Sequence, residues 1–254
     1  MPAVTLLTDF GTVDGYAGAM KGVIHALAPT AALIDITHEV APQDVAGAAH
    51  ALAVAAPAFP PGTVHVVVVD PGVGTTRIPV VVDDGRQLYV GPDNGVFDLA
   101  VPRPTRVFAI EAPGFRAGQP SATFHGRDVF AVAAGRLAAG AVPPDAGPAV
   151  SLRCHLAPPG SAPAGGALVI HVDRFGNLVT DTTADRIPSG GRIAVAGHDV
   201  GPLRRTYADV APGELVAYIG SSGTLEIAVR DGSAAQRLSV GRGAAVIVQR
   251  APDE

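Results

Sequence analysis

At 254 residues, with 48% hydrophobic and 16% charged residues, the chain has length for one large domain or two smaller ones and excludes intrinsic disorder. A formal net charge of −5, with Lys21 the only lysine among 18 basic residues and the arginines scattered, gives no case for nucleic acid or an anionic membrane. The single Cys154 excludes an intrachain disulfide and a cysteine-rich zinc site. The start MPAVTLLTDFG carries no basic n-region or cleavage site, and no apolar run approaches the ~18 residues of a membrane span, so a cytoplasmic soluble protein is expected.

The first half alternates between two periods. AVTLLT (3–8) reads as a buried strand, and YAGAMKGVIHALA (16–28) as a helix with Ala17, Met20, Ile24 and Leu27 on one face, stopped by Pro29. AALIDI (31–36) is a second strand, and QDVAGAAHALAVAA (43–56) a second helix with Asp44 near its amino end. TVHVVVV (63–69) is a third strand. Strand–helix alternation with apolar strands predicts a three-layer α/β domain, its sheet mostly parallel and covered on both faces. IPVVV (78–82) and RQLYV (86–90) flank the hairpin turn Asp83-Asp84-Gly85; TRVFAI (105–110) is another strand and GRDVFAVAAGRLAAG (126–140) another helix.

LAPPGSAPAGG (156–166) reads as a linker. Beyond it ALVIHVD, NLVTDT, RIAVAG, ELVAYIG, TLEIAV and AAVIVQR are short strands with no long helix among them, which predicts a smaller all-β barrel. The expected domains are 1–158 and 166–254.

Polar residues collect where strands end. Asp9 follows the first strand and Asp70 the third, both at the edge where parallel sheets bind ligands, although either acid also suits a cap. VDPGVGTTR (69–77) contains neither a Walker loop nor G-x-G-x-x-G, and Asp70 would repel a phosphate at its entrance. The eight histidines show no compact metal-ligand spacing, and no serine elbow is present. Taken singly, GPDNGVF (91–97) with Asn94 is a turn, FHGRDVF (124–130) puts His125 before a helix, and VDRFGNLVT (172–180) sets Asp173 and Asn177 around a hairpin glycine. SSGTLEIAV (221–229) is a turn entering a strand.

In this order, TDFGTVDGYAGAMKG, VDPGVGTTR, VGPDNGVF, FHGRD, VDRFGNLVT and SSGTLEIAV closely resemble the S-adenosylmethionine hydroxide adenosyltransferases, or SAM hydrolases, which are relatives of the SAM-dependent fluorinase and chlorinase. The resemblance implies an α/β domain joined to a β-barrel, a homotrimer, and attack of water or hydroxide on the ribose C5′ of S-adenosylmethionine to give adenosine and L-methionine. It assigns water activation to Asp70, Arg77 and His125, leaving the general base open between Asp70 and His125. Asp9 is matched to the ribose diol, Asp14 and Asp173 to the methionine ammonium, Asn177 to the adenine edge, and Asn94 to the substrate-binding set. Ser221 and Ser222 are matched to the methionine carboxylate or the neighbouring pocket, where halogenating relatives carry Ser-Arg. No cofactor or metal is implied, because a sulfonium leaves as a neutral thioether. The fluorinase has Tyr where Asp70 stands and Ser where Gly126 stands, which favours hydrolysis over a halide-dependent transferase; a module that only binds adenosine or S-adenosylmethionine is the third reading.

Overall fold

A computed structural model describes residues 1–101, 103–156, 162 and 166–249. The chain forms two compact units, Met1–Leu156 and Ala157–Glu254. Most of the linker expected over 156–166 lies outside the described residues.

The first unit runs β1 (Ala3–Thr8), α1 (Tyr16–Leu27), β2 (Ala32–Thr37), α2 (Val45–Ala55), β3 (Val64–Val68), β4 (Pro79–Asp83), β5 (Leu88–Pro92), β6 (Arg106–Ala109) and α3 (Ala131–Ala138). Its six strands form one sheet in the order β2-β1-β3-β5-β4-β6. β2, β1, β3 and β5 are parallel. The hairpin at Asp83-Asp84-Gly85 reverses β4, and β6 pairs antiparallel with it. Because β5 lies between β3 and β4, the segment leaving β3 crosses the end of β5 before entering β4. Pro79, first in β4, pairs with Pro92, last in β5. The chain after β1, β3 and β5 and the chain before β4 therefore meet at one sheet edge, the carboxyl edge of the parallel strands.

β3 is buried throughout, and its alternation divides the core. Val64, Val66 and Val68 pack with Met20 and Ile24 of α1 and with Ala134 and Leu137 of α3. Val67 and Val69 pack with Ala48 and Leu52 of α2. The α1 face is as spaced in the sequence, with Ala17, Met20 and Ile24 buried and Leu27 half-buried. Asp44 caps α2, its Oδ1 accepting the Gly47 N–H at 3.0 Å, a contact worth about 1 kcal/mol.

Two elements depart from expectation. β2 is exposed or half-buried along its length, because an edge strand has a neighbour on one side only. The helix expected over 126–140 opens with a π turn at Gly126–Phe130, where the Ala131 N–H reaches back to the Gly126 carbonyl.

The second unit contains β7 (Ala167–Val172), β8 (Leu178–Thr183), β9 (Arg192–Val195), β10 (His198–Arg204), β11 (Leu215–Ile219), β12 (Thr224–Val229), the short helix α4 (Ala234–Leu238) and β13 (Ala245–Gln249). The strands close into a barrel, β10-β11-β12-β8-β7-β13-β9, around an interior that includes Val169, Ile193, Leu225 and Ile227. β10 is absent from the sequence expectation because HDVGPLR lacks apolar alternation. Gly201 and Pro202 interrupt it, and its register shifts between Asp199 and Gly201.

One buried polar group sits inside β3. His65 is fully buried, with Nδ1 2.8 Å from the Thr5 hydroxyl and its ring stacked on Tyr89 at 5.0 Å. Burial pushes the imidazole from 6.5 down to about 4. The folded protein thus refuses a proton that the unfolded chain accepts, so this stability is full above pH 6.5 and is lost as pH falls toward about 4. The loss is on the order of 3 kcal/mol. Denaturant unfolding across this window is expected to show a pH slope steeper by about one proton in the wild type than in His65→Gln; equal slopes would refute the burial effect.

Candidate active site

Asp70, Arg77 and His125 meet at the carboxyl edge of the sheet. Arg77 Nε donates to Asp70 Oδ1 at 2.9 Å, and Nη2 donates to Oδ2. Nη2 also donates to His125 Nδ1 at 2.9 Å. A guanidinium only donates, so Nδ1 is the acceptor and the neutral ring carries its proton on Nε2. The Asp70 and Arg77 side chains are 5% and 8% exposed, and the Phe130 ring lies 5.2 Å from the guanidinium carbon. Burial, and then the charge of Arg77, hold the His125 pKa below 6.5 against the opposing pull of Asp70. Arg77 Nη1 is buried without a hydrogen-bond partner among the described residues.

Local chemistry brings the three together. The valines of β3 deliver Asp70, after which the chain turns, with the Val73 N–H on the Asp70 carbonyl at 3.2 Å and the Thr75 hydroxyl on the Gly72 carbonyl at 2.7 Å. Gly74 has φ +79°, and a Cβ there would lie 2.8 Å from the Ala122 carbonyl oxygen. Glycine is what lets this loop meet the segment that carries His125. That segment is pinned by Asp128, which accepts the Ser121 N–H at 2.8 Å and is paired with Arg127. The π turn of Gly126–Phe130 begins directly after His125.

Asp70 and His125 face a cavity of about 720 Å³, whereas Arg77, which joins them, is not among its lining residues. Asp9, Asp70, His125 and Gly126 line it, as do Phe10, Tyr16 and Phe124, three rings in edge-on contact at 5.2 to 6.1 Å. Asp9 Oδ2 accepts the backbone N–H of Gln43 at 2.8 Å. Asn94 is not among the residues lining the cavity. Its Nδ2 donates to the Val69 carbonyl at 2.9 Å, fixing the backbone immediately before Asp70. Asp14 is exposed and also lies outside the lining.

The remaining expected residues belong to the second unit. Asp173 organises its own turn: Oδ1 accepts the N–H groups of Phe175 and Asn177, and Oδ2 accepts the Asn177 amide at 2.8 Å. Asn177 faces a cavity of about 650 Å³ with Phe175, Tyr207 and Arg230. Ser221 and Ser222 are exposed, the Ser222 hydroxyl 3.0 Å from that of Thr224. The aromatic wall and Gln43 are absent from the sequence reading. The rings stand inside the quoted motifs TDFGTVDGY and FHGRD, whereas Gln43 contributes a backbone N–H, which no residue type advertises. Among the described residues, no group of three or more His, Cys, Asp or Glu side chains is placed to hold a metal.

Models of the SAM hydroxide adenosyltransferase N-terminal and C-terminal domains match residues 4–147 and 167–247. The chain belongs to the SAM hydroxide adenosyltransferase family. An (R)-S-adenosyl-L-methionine hydrolase of Thermus thermophilus is 44% identical, over 96% of this chain and 98% of that protein. A fluorinase of an Actinoplanes species is 26% identical, over 98% of each chain. The crystal structure of a conserved protein from Thermotoga maritima matches 97% of this chain and 100% of its own, with 36% identity and a TM-score of 0.89.

Asp70 is a carboxylate, which repels a halide and accepts from water. A Cβ on Gly126 would lie 3.3 Å from Met20 Sδ and from the edge of the Phe10 ring, so a side chain there requires these neighbours to give by a few tenths of an ångström. The His125 assignment has a direct spectroscopic check. Nitrogen NMR of labelled protein at pH 7 is expected to find a neutral ring protonated on Nε2, titrating below 6.5. Asp70→Asn should lower that pKa further, because the Asp70 charge raises it. A cationic ring at pH 7 would contradict the assignment.

Proposed function

We propose that this protein hydrolyses S-adenosyl-L-methionine to adenosine and L-methionine, and that the R sulfonium epimer named for its Thermus thermophilus relative is its substrate. The observation that carries this reading is the Arg77 fork across Asp70 and onto His125. A water oxygen attacks C5′ in line with the C–S bond. The bond's electron pair passes to sulfur, and the sulfonium leaves as the neutral thioether of methionine. The leaving group needs no acid and no metal, so the protein's work is to hold and deprotonate the nucleophile.

Asp70 is the member able to accept from water. Each of its oxygens holds an Arg77 N–H and retains a further lone pair, whereas His125 has Nδ1 engaged and a proton on Nε2. We therefore assign Asp70 as general base and neutral His125 as a donor that orients the attacking oxygen. Arg77 supplies positive charge close to where hydroxide develops, through its contacts to Asp70 and His125.

The other assignments follow the ligand's parts. Asp9 takes the ribose diol, whose hydroxyls both donate to one carboxylate. Asn177 reads the adenine edge, presented by the Asp173 turn. Asp173 has three of its about four lone-pair sites filled, leaving one for the methionine ammonium, which Asp14 also attracts. Ser221 and Ser222 meet the carboxylate. Asn94 supports the site from behind Asp70. We further propose a homotrimer acting in the cytoplasm, with no cofactor and no nucleic-acid or membrane partner. The net charge of −5 with scattered arginines supports the absence of a nucleic-acid or anionic-membrane partner.

Incubation of the protein with S-adenosyl-L-methionine is expected to release adenosine, followed by chromatography, with Asp70→Asn slower by roughly 10²- to 10⁴-fold. Added chloride should give no 5′-chloro-5′-deoxyadenosine. Adenosine at the spontaneous rate, equal in wild type and variant, would overturn the proposal, and a chlorinated product would replace it with halide transfer.

A further inference from the structure

Of the residues that position Asp9 at the cavity, Gln43 also lines it, whereas Thr8, Gly11, Thr12, His38 and Glu39 do not. The end of β1 and the loop after it are joined to the loop after β2 by four contacts. The Gly11 N–H donates to the His38 carbonyl at 2.8 Å, the Thr12 hydroxyl to Glu39 at 3.2 Å, and the Gln43 N–H to Asp9 at 2.8 Å. In the fourth, the Thr8 hydroxyl lies 2.8 Å from His38 Nδ1. Thr8 and His38 are 0% and 5% exposed, so this contact is the buried end of the seam.

Thr8 Oγ1 also accepts the Phe10 N–H at 3.2 Å, and with a second lone pair and its own proton it can either accept from or donate to Nδ1. Nε2 lies 3.0 Å from Asp35 Oδ1 without hydrogen-bond alignment. Asp35 Oδ2 in turn accepts from Lys21 Nζ at 2.6 Å, the chain's one lysine reaching across from α1. Burial raises the Asp35 pKa, but Lys21 and His38 outweigh it and hold the carboxyl below its ordinary value, so the group is an anion facing the ring. Lys21, Asp35, His38 and Thr8 thus form a line from the α1 surface to the residue before Asp9.

We propose that His38 is a positioning residue for substrate binding: its buried ring, tied to Thr8 and oriented by Asp35, sets the reach of the Asp9 carboxylate into the cavity. This rests on the reading that Asp9 meets the ribose diol. Removing the ring loosens Asp9 without touching the Asp70, Arg77 and His125 unit. Affinity therefore falls while the chemical step is spared.

The test is a double-mutant cycle in the full-length protein, with His38→Ala, Asp9→Asn and the pair, read as KM and kcat for adenosine release. His38→Ala is expected to raise KM about tenfold with kcat within about threefold, and the increase should vanish in the Asp9→Asn background. His38→Asn, whose amide can either accept from or donate to Thr8, should recover most of the affinity and serves as the reporter if His38→Ala does not fold. A His38 effect that falls on kcat, that persists in the Asp9→Asn background, or that is absent altogether overturns the proposal. If Asp9→Asn alone leaves KM unchanged, it is the diol reading of Asp9 that fails, a result visible without any His38 variant.

Discussion

Arg77 gives one N–H to each oxygen of Asp70 and another to His125, and the first unit is arranged around keeping that guanidinium in place. Each partner is costly without the others. An unpaired carboxylate as buried as Asp70 is disfavoured by about 3–5 kcal/mol, and a bare arginine at the same depth fares no better. The ring of His125 stays neutral in part because a cation sits on its Nδ1 face. Four architectural features serve this contact: the buried end of β3, the reversal of β4 that brings Arg77 back to the same edge, the glycine at 74, and the π turn behind His125. Asn94 adds a tie from the end of β5 to the carbonyl just before Asp70.

The same arrangement decides which nucleophile the site suits. A carboxylate beside the reaction centre attracts water and repels a halide, and its pairing with Arg77 leaves no lone charge in a buried setting. Gly126 lies against Phe10, and the cavity wall beside His125 is aromatic. With a sulfonium as leaving group, these two conditions cover most of what the reaction demands.

Much of this was legible in the sequence, for physical reasons that also mark where legibility stops. Apolar periodicity located β1, α1, β3 and the strands of the barrel because burial on a sheet or helix face imposes spacing. It missed β10, whose Gly201 and Pro202 break that spacing, and it treated β2 as covered when its edge position leaves it open. Strand order was not legible either: a hairpin inserts beside β3 through either of its strands, and only the fold shows that β5 is the neighbour. At the site, Asp70, Arg77 and His125 stood out through ordered motifs, but the choice of base depended on which nitrogen of His125 faces Arg77. Asn94 shows the same limit, since an amide in a loop serves a ligand or a backbone carbonyl according to its reach.

The central claim is that a water held by this unit attacks C5′ and that the C5′–S bond breaks. Hydrolysis in oxygen-18-labelled water, with mass analysis of both products, tests it most directly. The label should appear in the 5′-hydroxyl of adenosine and not in methionine. Adenosine without label, or label carried by the methionine fragment, would mean that a different bond is broken or that water is not the nucleophile.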